Sequence, residues 1–229
     1  MTLEEVRKKL SEIKMKGYIR TLRKGPTGIG YTLEKLLEIK ENNLNIPDLG
    51  EIELKAKREN HTGMTTLFTF NKKAWKMNPL EAVRKYGCKD KNGRLGLYYT
   101  ISLSPNSAGL FLSVTDDIIA VRSTDGSLIA EWELEEIEKR FNEKVRSLLL
   151  VKARVEERDG VEHFLYNRAR LLSGGVTKSM LKNQFESGKL LLELRLHDKV
   201  TMARNHGTGF RAYEDGLEDL YKNIKEIEF

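Results

Sequence analysis

The segment from Asp48 to Lys57 places the tightest constraint on how this chain folds. Apolar and charged residues alternate through its second part, which reads Ile52, Glu53, Leu54, Lys55, Ala56 and Lys57. A period of two predicts a half-buried β-strand, because every second side chain of a strand points to the same side. Glu53 and Lys55 would then share one face, roughly 6.5–7 Å apart by the rise per residue of a strand.

Asp48, Glu53 and Lys55 carry the chemistry of a metal-dependent hydrolytic site. Two carboxylates can hold a hard divalent cation, and a lysine beside them can polarise an attacking water. This arrangement is expected of metal-dependent phosphodiester cleavage. The same alternation also fits any half-exposed strand, so the spacing alone leaves both interpretations open.

Glu34 is a candidate third acid, 14 residues before Asp48. It lies on a helix predicted from about Thr32 to Glu41, which residues 42–47 then interrupt. A third carboxylate would complete a site for one or two metal ions. The alternative is that Glu34 belongs to a solvated helix face together with Glu38 and Glu41.

The other periodicities predict a mixture of helices and hairpins. Thr2 and Glu5 form a capping-box pattern ahead of an amphipathic first helix. Asp125-Gly126 and Asp159-Gly160 are hairpin signals. Besides the Glu53 strand, strands are predicted over 65–70, 97–103, 109–115, 117–123, 127–132, 149–157, 161–170 and 189–197. Further helices are predicted over 134–148, 177–186 and 213–224. We therefore expect the α/β (α+β) class, a mixed sheet flanked by helices.

Composition points to a cytoplasmic protein with an anionic partner. Hydrophobic residues make up 39 % of the 229 positions, and no apolar run approaches the ~20 residues of a membrane span. The charged, helical start is unlike a signal peptide. Cys88 is the single cysteine, as expected in a reducing compartment. The net charge is +6, with basic residues concentrated in 14–24, 55–91 and 168–211. This distribution predicts one positive face, although each segment could also be a solvated lysine surface.

Two loops are candidate binding elements. Residues 25–30, Gly-Pro-Thr-Gly-Ile-Gly, could cradle a phosphate at the start of a helix, or form a simple turn. Residues 204–211, Arg-Asn-His-Gly-Thr-Gly-Phe-Arg, follow Arg195 on a predicted strand. Arginine can bind guanine with two hydrogen bonds, and Asn or His can address other base edges, so this cluster could read DNA; a surface hairpin is the alternative.

Four segments, taken in order, resemble the MvaI/BcnI family of type II restriction endonucleases. Residues 23–34, Arg-Lys-Gly-Pro-Thr-Gly-Ile-Gly-Tyr-Thr-Leu-Glu, resemble the opening of these enzymes, and 47–55, Pro-Asp-Leu-Gly-Glu-Ile-Glu-Leu-Lys, resemble their catalytic motif. Residues 83–87 and 206–211 also match. The same catalytic pattern occurs, more distantly, in the mismatch-repair nicking enzyme MutH.

The resemblance implies a PD-(D/E)XK nuclease fold with two lobes around a DNA cleft. The catalytic lobe would cover mainly residues 1–150 and the DNA-recognition lobe mainly 151–229, an approximate boundary that allows the lobes to interleave. The family pattern implies a monomer that uses Mg²⁺, with Mn²⁺ as a substitute, and a cognate DNA methyltransferase as a further partner. It implies metal ligation by Asp48, Glu53 and the Leu54 carbonyl, water activation by Lys55 and an accessory role for Glu34. It implies DNA contacts by Arg23, Lys24, Arg195, Arg204, Asn205, His206 and Arg211.

The expected target is a short CC-N-GG-like site in double-stranded DNA, with one departure from the family pattern. Asn205 stands where an acidic residue is expected. An acid accepts a hydrogen bond from cytosine, whereas Asn favours adenine, so the target sequence stays open. Two alternatives also stay open: a MutH-like enzyme that nicks one strand, and a DNA-binding module without catalysis.

Overall fold

The structure is a computed structural model that describes residues 1–39, 47–71 and 73–229. The expected end of the second helix at Glu41 and most of the expected break over 42–47 lie outside the described residues. The helices are α1 (Leu3–Met15), α2 (Gly28–Leu36), α3 (Pro79–Tyr86), α4 (Leu134–Lys144), α5 (Lys178–Glu186) and α6 (Glu214–Glu218).

The strands run from the N-terminal region to the last residues. They are β1 (Ile19–Arg20), β2 (Ile52–Arg58), β3 (Thr65–Thr69), β4 (Cys88–Lys89), β5 (Leu95–Ile101), β6 (Leu110–Val114), β7 (Ile118–Ser123), β8 (Leu128–Glu133), β9 (Ser147–Arg158), β10 (Val161–Ser173), β11 (Leu190–Asp198), β12 (Ala203–Asn205), β13 (Gly209–Ala212) and β14 (Asn223–Ile227). The mixed α/β (α+β) class is confirmed. Over the residues that the structure describes, however, the strands form three sheets rather than one.

The chain divides into two compact units that interleave along the sequence. The first comprises Met1–Thr62, Asn142–Gly175 and Tyr221–Phe229, and the second comprises Gly63–Phe141 and Val176–Leu220. Both units draw residues from either side of position 150, an interleaving that the predicted lobes allowed. The assignment of catalysis to one lobe and of DNA recognition to the other stays a prediction.

The first unit is built on a sheet of strand order β1-β10-β9-β2, with β14 beside β10. The β9–β10 hairpin turns at Asp159 and Gly160, whose φ angles of 52° and 69° are both positive, as a two-residue hairpin turn of this kind requires. β2 pairs with β9 in parallel, and Glu53 stands opposite Leu148. α1 and α2 cover the sheet with buried Val6, Leu10, Ile13, Ile29 and Leu33. The predicted capping box of α1 is confirmed, since Thr2 and Glu5 bond to each other's backbone N–H groups.

The second unit contains a six-stranded and a three-stranded sheet. The first has the order β3-β13-β11-β5-β4 with β12 beside β11, and the other has the order β6-β7-β8. Phe210 lies at the aromatic centre of this unit. It stacks on Phe68 at 4.8 Å between ring centroids and meets Trp132 and Phe185 edge-on. The predicted hairpin at Asp125-Gly126 is confirmed by the β7–β8 pair.

Three sequence-based element predictions are wrong. The helix predicted over 213–224 is the short α6 followed by β14, because Asn223–Ile227 pairs with β10. The helix predicted over 134–148 ends at Lys144, since the apolar run from Leu148 is a buried strand of the first unit. α2 begins at Gly28 rather than near Thr32, whose buried hydroxyl accepts a hydrogen bond from the Leu22 N–H at 3.0 Å. Within the described residues, no helix is long and apolar enough to cross a membrane.

Candidate active site

Glu53 is a buried carboxylate held between two lysines. Its side chain is 3 % exposed, and its Oε1 accepts a hydrogen bond from Lys55 Nζ at 2.6 Å. Its Oε2 lies 2.8 Å from the Nζ of Lys144, which is itself only 14 % exposed. Glu53 and Lys55 thus share one face of β2, as the alternation predicted, and their side-chain ends converge to hydrogen-bond distance.

The second carboxylate oxygen of Glu53 has poorer hydrogen bonding than the first. Among the described residues, Glu53 Oε2 is buried without a hydrogen-bond partner, so its contact with Lys144 is an ion pair that lacks hydrogen-bond geometry. A buried carboxylate oxygen in this state is unfavourable unless another positive group completes its surroundings. The donor set of Asp48 and Glu53, both hard oxygen ligands, therefore fits a divalent cation.

Asp48 is tied to the same strand by its side chain. Its Oδ2 accepts a hydrogen bond from the backbone N–H of Leu54 at 3.1 Å. A tight turn makes this possible, because Leu49 and Ile52 form a β-bridge and Gly50 has a φ of 74°. The structure therefore brings Asp48 next to the strand that carries Glu53. Ligation of a metal by the Leu54 carbonyl stays a prediction.

Glu34 lies on α2 and is half-buried, unlike Glu38. The latter is exposed and pairs with Lys9, whose hydrogen bond lowers the pKa of Glu38. Burial raises the pKa of Tyr166, and the charge of Glu34 raises it further. The Tyr166 hydroxyl donates to the Ile29 carbonyl of α2 at 2.7 Å, so the end of the Tyr166 side chain lies against this helix. Glu34 and Glu38 therefore differ in exposure, whereas Glu41, the third acid of the alternative interpretation, lies outside the described residues.

The three acids are not preassembled as one metal cage. Over residues 1–39, 47–71 and 73–229, no three His, Cys, Asp or Glu side chains are grouped closely enough to hold a metal ion. Asp48 and Glu53 share a strand region, whereas Glu34 approaches from a helix that packs on β2. The accessory role of Glu34 stays a prediction.

Lys144 and Tyr221 are neighbours of Glu53 that the sequence did not reveal. The Tyr221 hydroxyl donates to the Val145 carbonyl at 2.8 Å. Burial raises its pKa well above the usual value, and the charge of Glu53 adds to this shift. Lys144 comes close to Glu53 because β9 starts three residues later and runs parallel to β2. A parallel pairing over this sequence distance leaves no local signal.

The predicted glycine loop over 25–30 is non-helical only up to Thr27, since α2 begins at Gly28, and its first residues contact an arginine. Gly25 and Pro26 offer their carbonyls to Arg58 at 3.4 and 3.2 Å, and Arg58 also pairs with Glu162 at 2.6 Å. Arg23 stacks over the ring of Tyr31, 3.7 Å from its centroid, and Lys24 is exposed. The carbonyl contacts favour the turn interpretation of this loop, and DNA contacts by Arg23 and Lys24 stay predictions.

The predicted base-reading residues are brought together on the β11–β12–β13 part of the second unit. Arg195 on β11 donates to the carbonyls of Gly207 at 2.9 Å and of His206 at 3.4 Å. Arg211 on β13 pairs with Glu193 and also donates to the Met64 carbonyl at 3.2 Å. Arg195 therefore holds the 206–208 turn, whereas Arg211 links β13 to Glu193 on β11 and to Met64 just before β3.

Other polar side chains at this turn make hydrogen bonds or close polar contacts as well. Asn205 Oδ1 accepts a hydrogen bond from the Gly207 N–H at 2.8 Å, and Arg204 and His206 are exposed. His206 Nε2 lies 3.3 Å from His197 Nδ1, to which the Tyr98 hydroxyl is also close at 3.0 Å. Burial lowers the pKa of His197, and nearby cations lower it further. Glu193, His197 and Tyr98 support the turn, and sequence reasoning did not single out any of them for this site.

Comparison with known proteins identifies the family. The sequence pattern of the MvaI/BcnI restriction endonuclease family matches residues 7–221. This chain belongs to the MvaI/BcnI family. It is a type II site-specific DNA endonuclease, as the four ordered segments predicted.

Two solved structures of MvaI have the same fold as this member of the MvaI/BcnI family. One is described as the restriction endonuclease MvaI–cognate DNA substrate complex, with a TM-score of 0.82, 24 % identity and coverage of 99 % of each chain. The other is MvaI in the absence of DNA, with a TM-score of 0.56, 24 % identity and coverage of 99 % of this chain and 98 % of that one. Comparison with curated protein sequences finds no significant match.

Proposed function

We propose that this MvaI/BcnI family member hydrolyses both strands of DNA with Mg²⁺, or Mn²⁺ in its place, at a short CC-N-GG-like site. The observation that carries the proposal is the buried Glu53 carboxylate, clamped by Lys55 at 2.6 Å and Lys144 at 2.8 Å beside Asp48. Burying a charged carboxylate costs free energy even when it is paired, so a catalytic role explains its position here better than a contribution to stability does. Its neighbours form the set that metal-assisted phosphodiester hydrolysis needs.

The carboxylates of Asp48 and Glu53 would hold the cation. A divalent ion bound there supplies charge stabilisation to the phosphate and makes water a stronger nucleophile. The backbone N–H of Leu54 fixes the orientation of Asp48, and the parallel pairing with β9 fixes that of the strand. The chain's own part is thus to present two oriented oxygen donors from a rigid sheet.

Lys55 is the proposed water-orienting residue. Its Nζ carries three donor hydrogens and gives one to Glu53 in the present geometry. The remaining donors can orient and polarise a water or contact the phosphate that is cut. Glu34 on α2, the helix that packs on β2, would act as an accessory acid rather than as a ligand on the strand.

Sequence recognition is proposed for the second unit. Arg195 and Arg211 would read guanines, His206, Arg204 and Asn205 would address neighbouring base edges, and Arg23 and Lys24 would hold the backbone. Arg204 and His206 are exposed and available for contact.

Asn205 leaves the exact target sequence open. Its Oδ1 already accepts a hydrogen bond from Gly207, so its side-chain N–H groups are the part that is freest to reach a base. A donor suits O6 and N7 acceptors rather than the amino group of cytosine. Selection of cut sites would identify the base that Asn205 contacts.

Cleavage of a plasmid with a single CC-N-GG site tests the proposal. We expect linear product with Mg²⁺ and none with excess chelator. Glu53→Gln should abolish the reaction, whereas Glu51→Gln, a matched change at an exposed position two residues away, should leave it intact. Nicked circles as the final product would indicate a MutH-like strand nickase, and binding without any cutting would indicate a non-catalytic DNA-binding module.

We further propose a monomer in the cytoplasm, with a DNA methyltransferase that modifies the same site. An endonuclease with a short target would otherwise cut the DNA of its own cell. Sedimentation of the protein on one duplex tests the monomer, and resistance of methylated duplexes tests the partner.

A further inference from the structure

The turn between β11 and β12 exposes two large apolar side chains. Val200 is 78 % exposed and Met202 is 61 % exposed. They stand in the four-residue connection Lys199–Met202, directly before the strand that carries Arg204 and Asn205. Covering two adjacent apolar side chains at the tip of a hairpin would contribute favourable free energy, in proportion to the apolar area removed from water.

The backbone of this turn is strained at Val200. Its φ is 71°, and the Thr201 N–H donates to the Lys199 carbonyl at 2.9 Å, which closes a three-residue turn around it. Such a turn with positive φ is rare, and a β-branched side chain makes it less favourable still. Glycine would adopt this backbone conformation with less strain. The presence of valine therefore indicates that its side chain has a use.

An arginine from α3 holds the turn in place. Arg84 donates from Nη2 to the Val200 carbonyl at 2.7 Å and from Nε to Asp198 Oδ2 at 2.9 Å. The hydrogen bond from Arg84 is the largest cause of the lowered pKa of Asp198. The apolar tip is therefore presented on a braced hairpin rather than on a loose loop.

The surroundings of the tip are cationic. Lys199 and Arg204 are exposed on the same hairpin, and the Arg84 side chain is 52 % exposed. Cations around a small apolar tip complement duplex DNA, which has phosphates outside and stacked bases inside. Two side chains are too small for a stable protein interface, which buries about 800 Å² on each partner.

We propose that Val200 and Met202 form an apolar wedge that inserts between adjacent base pairs of the bound duplex and unstacks one step. Wedges of aliphatic residues act in this way in several DNA-bending proteins. The proposal rests on the proposed function, because it assigns a further contact to the same DNA substrate. It also explains the strain at Val200: the turn that aims the side chain outward is unfavourable in the free protein and useful on DNA.

The test is 2-aminopurine fluorescence with a CC-N-GG duplex in Ca²⁺. The probe replaces adenine at one position at a time, within the site and in its flanks. With the wild-type protein we expect a several-fold rise at one position. The double variant Val200→Gly/Met202→Ser should abolish the rise and bind about ten- to hundredfold more weakly, the equivalent of one aliphatic side chain left unburied.

Three further variants separate the wedge from a folding defect. Val200→Gly alone should raise the melting temperature of the free protein, since glycine accepts the positive φ, while it weakens DNA binding. Val200→Leu should keep the fluorescence rise, because it keeps the apolar tip. Met15→Ser removes a methionine that is 77 % exposed on the first unit and should change neither readout.

Each contrary outcome has its own meaning. Specific binding by the wild type without a fluorescence rise at any position overturns the wedge and leaves the proposed function standing. A rise that survives in the double variant also overturns it. If the wild type neither binds nor cuts the duplex, the proposed function is contradicted. The wedge, which rests on that function, is then contradicted as well.

Discussion

Replacement of Lys144 by methionine gives a sharp prediction about the site. Methionine keeps most of the side-chain volume and removes the charge that lies 2.8 Å from Glu53 Oε2. Loss of one partner from an isolated buried ion pair destabilises a protein by about 3–5 kcal/mol. Lys55 remains bound to the other oxygen, so we expect about 2–3 kcal/mol for Lys144→Met in metal-free protein.

This loss translates into a measurable shift of the melting temperature. For a chain of this length, each kcal/mol corresponds to about 2–4 °C, which gives a decrease of roughly 5–10 °C. Thermal melts in chelator should show the decrease, and melts with saturating Ca²⁺ or Mn²⁺ should show much less of it. The reason is that a cation held by Asp48 and Glu53 supplies the positive charge that Lys144 no longer provides.

The same variant should bind the cation more tightly. If Lys144 competes with the ion for Glu53, its removal should tighten binding by about tenfold, or about 1.4 kcal/mol, in a calorimetric titration with Ca²⁺. Lys139→Met, at an exposed position of the same helix, is the matched control and should change neither quantity. An equal melting deficit with and without metal, together with unchanged or weaker binding, would refute the reasoning.

Three further predictions concern the accessory acid and the DNA contacts. Glu34→Gln should slow cleavage by roughly 10–100-fold with DNA binding retained, the usual scale for a group that supports metal ligands; a wild-type rate in single-turnover assays would remove Glu34 from the mechanism. Arg195→Ala or Arg211→Ala should each weaken binding to a CC-N-GG duplex by about 1–3 kcal/mol and relax the choice at one base pair. Equal losses on a scrambled duplex would show instead that these arginines only hold the turn or the backbone. Neutralised lysines in the 14–24 segment should weaken binding to all sequences alike and lower the salt dependence, and an effect confined to the cognate duplex would contradict a phosphate role.

The sequence predicted those features that depend on neighbours in the chain. The Thr2–Glu5 capping box and the Asp159-Gly160 hairpin are local arrangements, and both are confirmed. The shared face of Glu53 and Lys55 also follows from the period of a single strand. A local sequence pattern is sufficient to predict a contact when the two residues lie within a few positions of each other in the chain.

The remaining features depend on pairing between distant segments. β14 is a strand because it joins β10, although Leu217 and Leu220 continue a helical spacing up to it. Lys144 meets Glu53 only because β9 runs parallel to β2. No local signal in the sequence specifies either pairing.

The contacts of Arg195 change how its variants should be interpreted. Its Nε and Nη2 groups already bond to the Gly207 and His206 carbonyls, at 2.9 and 3.4 Å. Alanine at this position therefore removes a brace of the turn as well as a donor to a base. Arg195→Lys keeps the charge but cannot hold both carbonyls and a guanine together, so it should lose specificity more than overall affinity.

The central claim is that Asp48, Glu53 and Lys55 form one metal-dependent cleavage site. Single-turnover cleavage of a CC-N-GG duplex by Lys55→Ala, after its binding has been measured in Ca²⁺, tests this claim most directly. We predict that the variant binds with nearly wild-type affinity and that Mg²⁺ then yields no product. Cleavage by Lys55→Ala at the wild-type rate would contradict the account.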